Sequence, residues 1–297
     1  MISIISLVLI PFIVNRSPYM KAICYISVLV LLIGFAGPGF AITPDREYIR
    51  TPDSVAWNYE QLSIKTKDHL ELNTWIYEAN KERDKDTVLI LAYPDAGNMS
   101  YFVYHAAILA NAGYTVVTFD YRGFGKSDDF EIQRGFLYYT EFTWDLEAVV
   151  VTISEKFKGR KIGIWGMSMG TTIASRAYPV LNGKINFIIG EGYVTATSAI
   201  IERYQALDKP LLLPEKPNKY KKAIKAIDIP LLIFSASNDT ITTHQDAVSL
   251  CQLLGQNCQV VQFSGEHLTG FQMDYESKGF GGWYVEQINL FFDNAAS

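Results

Sequence analysis

The sequence predicts an α/β fold in which helices cover both faces of a mostly parallel central sheet. Uninterrupted apolar runs of strand length, such as Thr87–Tyr93, are typical of strands that are buried on both faces. Amphipathic segments of helical length, such as Thr140–Phe157, alternate with these runs, and the alternation favours βαβ units with parallel strands. The chain has 297 residues, of which 49% are hydrophobic, so it is long enough to bury one large core.

Residues 1–41 are predicted to be a signal peptide or an N-terminal membrane anchor. Ile2–Val14 is apolar but has only 13 residues, too few to span a bilayer. A signal peptide can be read from Met20, which we take as an alternative start of the chain, with a positive n-region at Lys21. Ile23–Phe35 then forms the apolar h-region, and a small-x-small cleavage site ends at Ala41.

The same segment also fits an uncleaved anchor, because residues 22–44 carry no charge and are numerous enough to cross a bilayer. Arg16 and Lys21 would then keep the upstream end in the cytoplasm. Either interpretation places the domain of residues 42–297 outside the cytoplasm, as a secreted or periplasmic protein or as one that is associated with the membrane through its N-terminal segment.

The domain is predicted to open with an antiparallel hairpin over Trp57–Ala79, where apolar and polar residues alternate on both sides of a polar turn. The strand Thr87–Tyr93 follows, and then a helix over Met99–Ala112. The remaining predicted elements are the strand Thr115–Phe119, the helix Thr140–Phe157, the strand of Ile162, Ile164 and Trp165, a helix to Leu181, the strand Ile185–Ile189, the strand Pro230–Ser235, the helix Thr243–Leu254, the strand Gln259–Phe263 and the helix Gly282–Phe292.

The segment Tyr193–Asp228 interrupts this rhythm and is predicted to be a short lid after the sixth strand. A lid at this point would cover the carboxyl ends of the strands, where an open α/β sheet binds its ligand. Helices are expected over Ala196–Leu207 and Tyr220–Ile227. The apolar residues of the lid either form an acyl pocket or pack against the sheet: Tyr193, Ile200, Ile201, Tyr204, Leu207 and Leu211–Leu213.

Ser168 is the predicted nucleophile. It lies in Gly166-Met167-Ser168-Met169-Gly170, between an apolar strand and a helix-forming segment, which is the setting of a nucleophile elbow. We expect the two glycines to relieve crowding of the main chain and to adopt positive φ where the turn requires it. The helix after Ser168 would direct its N-terminal amides at the reacting centre.

An attacking serine needs a base, and His267 is the predicted one. Of the four histidines in the chain, His69 belongs to the hairpin turn, His105 to a helix and His244 to the start of another helix. His267 follows the last strand and therefore reaches the edge of the sheet where parallel strands end.

The base needs a carboxylate partner, and Asp239 is the predicted one. It follows the strand Pro230–Ser235, which gives the chain order Ser168, Asp239, His267. Glu191, at the end of the preceding strand, is the alternative acid. It could instead fix the neighbouring loops through hydrogen bonds.

An oxyanion hole needs two N–H groups directed at the developing charge. We predict the backbone amides of Met169 and Asp95, and the amide of Ala96 is the alternative to that of Asp95. A carboxylate near an oxyanion is unfavourable, so the Asp95 side chain is expected to turn outward and cap the helix that begins near Asn98.

Cys251 and Cys258 are predicted to form a disulfide. They are the even pair that remains outside residues 1–41, and export would bring them into an oxidising compartment. Two free thiols are the alternative.

The run Asp120-Tyr121-Arg122-Gly123-Phe124-Gly125-Lys126-Ser127, together with the motif at 166–170, resembles the α/β-hydrolase superfamily, in its monoacylglycerol-lipase-like and serine-aminopeptidase-like branch. The resemblance covers about Trp57 to Phe292. It implies an α/β-hydrolase fold with a catalytic triad, to which Ser168, Asp239 and His267 correspond, and with oxyanion donors at Asp95 and Met169.

The sequence departs from that superfamily at Tyr93-Pro94, where its members usually carry His-Gly. Pro94 lacks an N–H and stiffens the loop that should supply an oxyanion donor. Arg122 is expected to be a structural clamp rather than a catalytic group.

We therefore expect an exported serine hydrolase that cleaves an ester, a thioester or a small amide of a small-molecule or lipid-like acyl substrate, most simply a carboxylesterase or lipase. A serine aminopeptidase would need an acidic cluster, for which Glu191 and Glu202 are candidates. A perhydrolase, an acyltransferase and an inactive scaffold remain alternatives on the same fold.

No cofactor, metal or nucleic acid is expected. No cysteine–histidine group has metal-site spacing, and the chain has no basic cluster of the kind that binds nucleic acid. The sequence leaves the oligomeric state open.

Overall fold

The structure, a computed structural model, describes residues 42–206, 211–214 and 218–295. The predicted signal peptide or anchor at 1–41 lies outside the described residues, as does Leu207 of the predicted lid. Within the described ranges, no helix is both long and apolar enough to cross a membrane.

One eight-stranded sheet forms the centre of the described domain. Its strands are β1 (Tyr59–Lys65), β2 (Glu71–Tyr77), β3 (Thr87–Ala92), β4 (Thr115–Phe119), β5 (Lys161–Met167), β6 (Phe187–Glu191), β7 (Leu231–Ala236) and β8 (Cys258–Phe263). The spatial order is β1-β2-β4-β3-β5-β6-β7-β8. The β1–β2 hairpin and the β2–β4 pair are antiparallel, and the other neighbours are parallel. The predicted mostly parallel sheet is confirmed.

The helices are α1 (Val103–Asn111), α2 (Tyr139–Lys156), α3 (Met169–Leu181), α4 (Thr197–Gln205), α5 (Asn218–Lys225), α6 (His244–Leu254), the short α7 (Tyr275–Lys278) and α8 (Gly282–Ala295). Tyr284 of α8 stacks on Phe234 of β7, with ring centroids 3.9 Å apart. Helix α3 packs against α2 and α5. Strands β3 and β4 are buried along their whole length, as expected for strands covered on both faces.

Two predicted elements differ from the structure at their ends. The strand expected at Ile185–Ile189 begins later, because Ile185 forms an isolated bridge with Asn182 and the ladder with β5 starts at Phe187. Strand β6 ends at Glu191. The helix expected from Met99 begins as a 3-10 turn over Met99–Phe102 and becomes α1 at Val103.

The segment predicted as a lid contains α4 and α5. Helix α5 packs on α3, where the Tyr220 hydroxyl lies 3.4 Å from Ser175 Oγ. Tyr193 is buried, and its hydroxyl lies 2.8 Å from the same serine oxygen. Tyr193 therefore packs against the body of the domain, whereas the Leu212 side chain is exposed.

Cys251 of α6 and Cys258 of β8 are joined by a disulfide. It closes a short loop between the end of α6 and the start of β8. Strand β8 lies at the edge of the sheet beside β7, so the disulfide ties this edge strand to the helix that precedes it.

Candidate active site

Ser168 lies at a sharp turn between β5 and α3. Its φ of 50° and ψ of −115° are sparsely populated for a residue with a side chain. The positive φ falls on the serine itself, so the expectation that Gly166 or Gly170 adopts it is wrong. Gly170 is needed for close approach instead, because a Cβ there would lie 1.7 Å from the carbonyl oxygen of Ala92.

His267 lies between the two other predicted catalytic residues. Its Nε2 is 3.0 Å from Ser168 Oγ, and its Nδ1 is 2.6 Å from Asp239 Oδ2. The ring packs against the main chain of Gly192, which has a φ of 62°, and a Cβ there would lie 2.6 Å from Cε1 of the ring. The structure thus brings together the three residues that the sequence predicted, although they are far apart in the chain.

Asp239 is surrounded by hydrogen-bond donors. Its Oδ1 accepts from the Ile241 N–H at 2.8 Å and the Thr242 N–H at 2.9 Å, and its Oδ2 accepts from Thr242 Oγ1 at 2.6 Å. Burial opposes ionisation of this carboxyl, but His267 and the Thr242 donors outweigh burial and lower the pKa of Asp239. The side chain is therefore a carboxylate at neutral pH. Sequence reasoning missed Thr242, although an Asp followed by Thr-Ile-Thr is a signal for a turn of this kind.

Glu191, the alternative acid, is bonded elsewhere. It is buried, and its Oε1 accepts from the Gly270 N–H at 2.7 Å. The imidazole Nδ1 bonds to Asp239 and not to Glu191. Glu191 is therefore placed as in the other interpretation of the sequence, in which it holds the neighbouring loops through hydrogen bonds.

Tyr93, where the sequence departs from the superfamily that it resembles, is a core residue. Its side chain is fully buried, and its ring lies 4.8 Å from that of Tyr121. The Tyr93 hydroxyl accepts from the Tyr121 N–H at 3.2 Å. The departure at Tyr93-Pro94 is thus accommodated by packing beneath the loop.

Asp95 follows in the same loop, and its side chain does not cap the next helix. The predicted cap by Asp95 is wrong, because Asn98 caps the 3-10 turn through its own side chain, which accepts from the Ser100 N–H. The Asp95 carboxyl interacts electrostatically with His267. Burial raises the pKa of Asp95 to about 6, while its own backbone N–H and His267 oppose the rise.

The two predicted oxyanion donors lie on the loop after β3 and at the start of α3. Met169 is the first residue of α3, so its N–H is one of those that find no acceptor within the helix. The Asp95 carbonyl accepts from the Thr43 N–H at 2.8 Å and pins the loop. Because the Asp95 carboxyl also attracts its own N–H, the second donor is freest when that carboxyl is neutral.

Helix α4 is fastened to the loop that carries Asp239. Arg203 donates to the carbonyl of Ile241 and to Asp246 Oδ2, the latter at 2.7 Å. Burial raises the pKa of the neighbouring Tyr204, and Asp95 and Asp239 raise it further. Sequence reasoning had placed Tyr204 only as an apolar lid residue, yet its phenol lies within electrostatic range of two carboxyls of the site.

The described residues contain no group of three or more His, Cys, Asp or Glu side chains that could hold a metal ion.

The chain is similar in sequence and in structure to known proteins. Residues 96–189 match the family described as serine aminopeptidase, S33. The chain is 33% identical over 147 residues to an uncharacterized membrane protein of Saccharomyces cerevisiae, covering 47% of this chain and 49% of that one. It is 25% identical over 289 residues to the uncharacterized protein YfhR of Escherichia coli K12, covering 92% and 94%.

A third relative is the lysophosphatidylserine lipase ABHD12 of Mus musculus, which is 31% identical over 150 residues, covering 45% of this chain and 36% of the lipase. The match spans about half of the yeast relative and about a third of the mouse relative. Among solved structures, the esterase Pf2001 of Pyrococcus furiosus superimposes with a TM-score of 0.66 and 20% identity, covering 85% of this chain and 99% of the esterase. The resemblance that the motifs at 120–127 and 166–170 predict is confirmed.

Proposed function

We propose that this chain, which has the α/β-hydrolase fold, is a serine hydrolase that cleaves carboxylic esters through an acyl-enzyme. One observation carries the proposal, the continuous contact from Ser168 Oγ through the His267 imidazole to Asp239, with distances of 3.0 Å and 2.6 Å. A hydroxyl, an imidazole and a buried carboxylate in this order form an activated nucleophile.

In the proposed reaction, Ser168 Oγ attacks the ester carbonyl while its proton passes to His267 Nε2. Asp239 holds the Nδ1–H and stabilises the imidazolium. The backbone N–H groups of Met169 and Asp95 stabilise the oxyanion. When the C–O bond breaks, His267 returns the proton to the leaving alcohol. Water then attacks the acyl-enzyme with His267 as base, and the acid is released.

The proposed substrate is an ester with a lipid-like acyl or alcohol group. The esterase Pf2001 supports the ester bond, and the lysophosphatidylserine lipase ABHD12 supports a lipid-like substrate. The match to the serine aminopeptidase family favours a peptide bond instead. However, Glu191 is 1% exposed and bonded to Gly270, so it is unavailable to bind a free amino terminus. Of the two acidic candidates this leaves only Glu202, which is a single carboxylate and not a cluster.

Export of the domain is part of the proposal. The disulfide between Cys251 and Cys258 supports it, because such bonds persist in oxidising compartments.

The test is labelling by a fluorophosphonate probe, with Ser168→Ala as the variant and Ser249→Ala, at an exposed serine, as the matched control. The wild type and the control should label, whereas Ser168→Ala should lose labelling and at least about 10⁴-fold in kcat on p-nitrophenyl esters. Labelling that survives Ser168→Ala contradicts the proposal, and so does a folded wild type that does not label. Comparing p-nitrophenyl esters with aminoacyl nitroanilides separates an esterase from an aminopeptidase.

A further inference from the structure

Glu191 is a buried carboxyl that the proposed mechanism does not use, and it lies at the end of β6 next to the triad. The residue is 1% exposed. Its Oε1 accepts from the Gly270 N–H at 2.7 Å. The Tyr284 hydroxyl, which accepts from the Trp165 indole N–H at 3.2 Å, also interacts with this carboxyl. Its other oxygen, Oε2, is buried without a hydrogen-bond partner among the described residues. Burying an unsatisfied polar atom is costly, so the bond from the Gly270 N–H is important for holding this carboxyl in place.

The main chain at Glu191 supports the nucleophile. Its carbonyl accepts from the Ser168 N–H at 2.9 Å, and Glu191 faces Met167 in the β5–β6 ladder. The following residue, Gly192, is the one whose main chain packs against the His267 ring. Glu191 therefore lies where the nucleophile and the base are both supported.

The side chain of Glu191 holds the loop that carries His267. Gly270 follows His267 by three residues and approaches so closely that a Cβ on it would lie 2.9 Å from Glu191 Oε1. Leu268, between His267 and Gly270 in this loop, has a φ of 60°, which is unfavourable for a large side chain. A strained loop keeps its conformation only where its surroundings hold it, and the bond from Gly270 to Glu191 is such a restraint.

We propose that Glu191 is a positioning residue that keeps the His267 imidazole on Ser168 by accepting the Gly270 N–H. The inference rests on the proposed serine hydrolase function. One residue then restrains both partners of the proton transfer, the nucleophile through its carbonyl and the base through its carboxyl. Misplacing a catalytic group by about 1 Å can cost about 100-fold in rate, so the loss of this restraint should be measurable.

The surroundings of Glu191 also determine its charge. Burial raises the pKa of Glu191 to about 7, and the charge of Asp239 also raises it. The Gly270 N–H, His267 and Tyr284 lower it, but they do not cancel the effect of burial. The titratable groups that face it are thus His267, Asp239 and Tyr284. Below pH 7 the carboxyl is mainly neutral, so glutamine is its close isostere, with the same acceptor oxygen and no added charge.

The experiment compares Glu191→Gln with Glu191→Ala in steady-state hydrolysis of p-nitrophenyl butyrate at pH 6. Alanine removes the acceptor and leaves the Gly270 N–H unsatisfied. It should lower kcat by about 10- to 100-fold while KM stays within about twofold, because the base is misplaced and the binding surface is not. Glutamine should keep kcat within about threefold. Glu155→Ala, at an exposed glutamate of α2, is the matched control.

Two results would overturn the inference: a Glu191→Ala variant with the kcat of the wild type, or a Glu191→Gln variant as impaired as the alanine one. Circular dichroism establishes that each variant is folded. If Glu191→Ala does not fold, Glu191→Met replaces it, because methionine fills a similar volume without an acceptor oxygen, and the same two results decide.

The rate of fluorophosphonate labelling separates this inference from the proposed function. A wild type that does not label refutes the serine hydrolase itself. A wild type that labels, with Glu191→Ala labelling at the same rate, refutes the positioning role alone.

Discussion

At the scale of single residues, three carboxyls interact with one imidazole and differ in their environments. Asp239, Asp95 and Glu191 all interact electrostatically with His267. Asp239 is kept ionised by its donors, whereas burial raises the pKa of Asp95 to about 6 and that of Glu191 to about 7. Carboxyls whose environments separate their pKa values can take different roles at one pH.

Asp95→Asn should raise kcat/KM above pH 6 and change it little below pH 5. A raised pKa means that the Asp95 carboxyl is neutral below about pH 6 and charged above it. The charged form repels the developing oxyanion and attracts the Asp95 N–H, so removing it should increase the rate at pH 8 by roughly tenfold. Profiles of kcat/KM against pH for p-nitrophenyl acetate measure the effect.

Asp129→Asn is the control for this prediction, since that carboxyl is 98% exposed on the surface. An Asp95→Asn variant that is slower at every pH would contradict the prediction and show that the reaction needs the carboxyl.

The sequence predicted Ser168, Asp239 and His267 because each follows a strand at the same edge of a parallel sheet. It did not predict that Asn98 rather than Asp95 caps the turn after β3, nor the position of Tyr204. The position of Tyr204 depends on how α4 meets the loop after β7, a contact made by Arg203 with Ile241 and Asp246. No local pattern encodes an approach between segments that are far apart in the chain.

At the scale of elements, the apolar runs located β3 and β4 within one residue, because a strand covered on both faces is apolar throughout. The ends of elements were less predictable. Strand β6 begins at Phe187 rather than Ile185, since the bridge of Ile185 to Asn182 competes with the ladder. Pairing partners decide where a strand starts, and the sequence of one strand does not specify them.

Removing the disulfide should lower stability and leave the chemistry unchanged. Cys251 and Cys258 are seven residues apart, and a loop of this size restricts the unfolded chain by about 2 kcal/mol. The Cys251→Ser/Cys258→Ser variant should therefore melt at lower temperature, while kcat at 25 °C stays within about twofold. Thermal unfolding of the wild type with and without a reductant provides the control. An unchanged Tm in both comparisons would contradict the prediction.

At the scale of the whole molecule, Arg122 connects the turn of the β1–β2 hairpin with helix α2 through two ion pairs. Its guanidinium lies 2.6 Å from Asp68 in the turn of the β1–β2 hairpin and 2.7 Å from Asp145 of α2. Arg122 and Asp145 are buried. This is the clamp that was expected of the arginine in the run at 120–127.

Arg122→Ala should lower the free energy of unfolding by about 3–5 kcal/mol, because it leaves the buried Asp145 without its counter-charge. Lys156→Ala, which breaks the exposed pair with Glu60, should cost less than about 1 kcal/mol and is the control. Urea unfolding measures both. Equal losses in the two variants would contradict a structural role for Arg122.

The main-chain conformation of Ser168 affects how the sequence of this protein can evolve. The residue that supplies the nucleophile is also one whose main chain is held away from its preferred dihedrals, with a φ of 50°. Glycine at this position would relieve about 1 kcal/mol of that strain and abolish the nucleophile. Selection for heat resistance alone would therefore favour an inert protein, and activity persists only where selection acts on turnover as well.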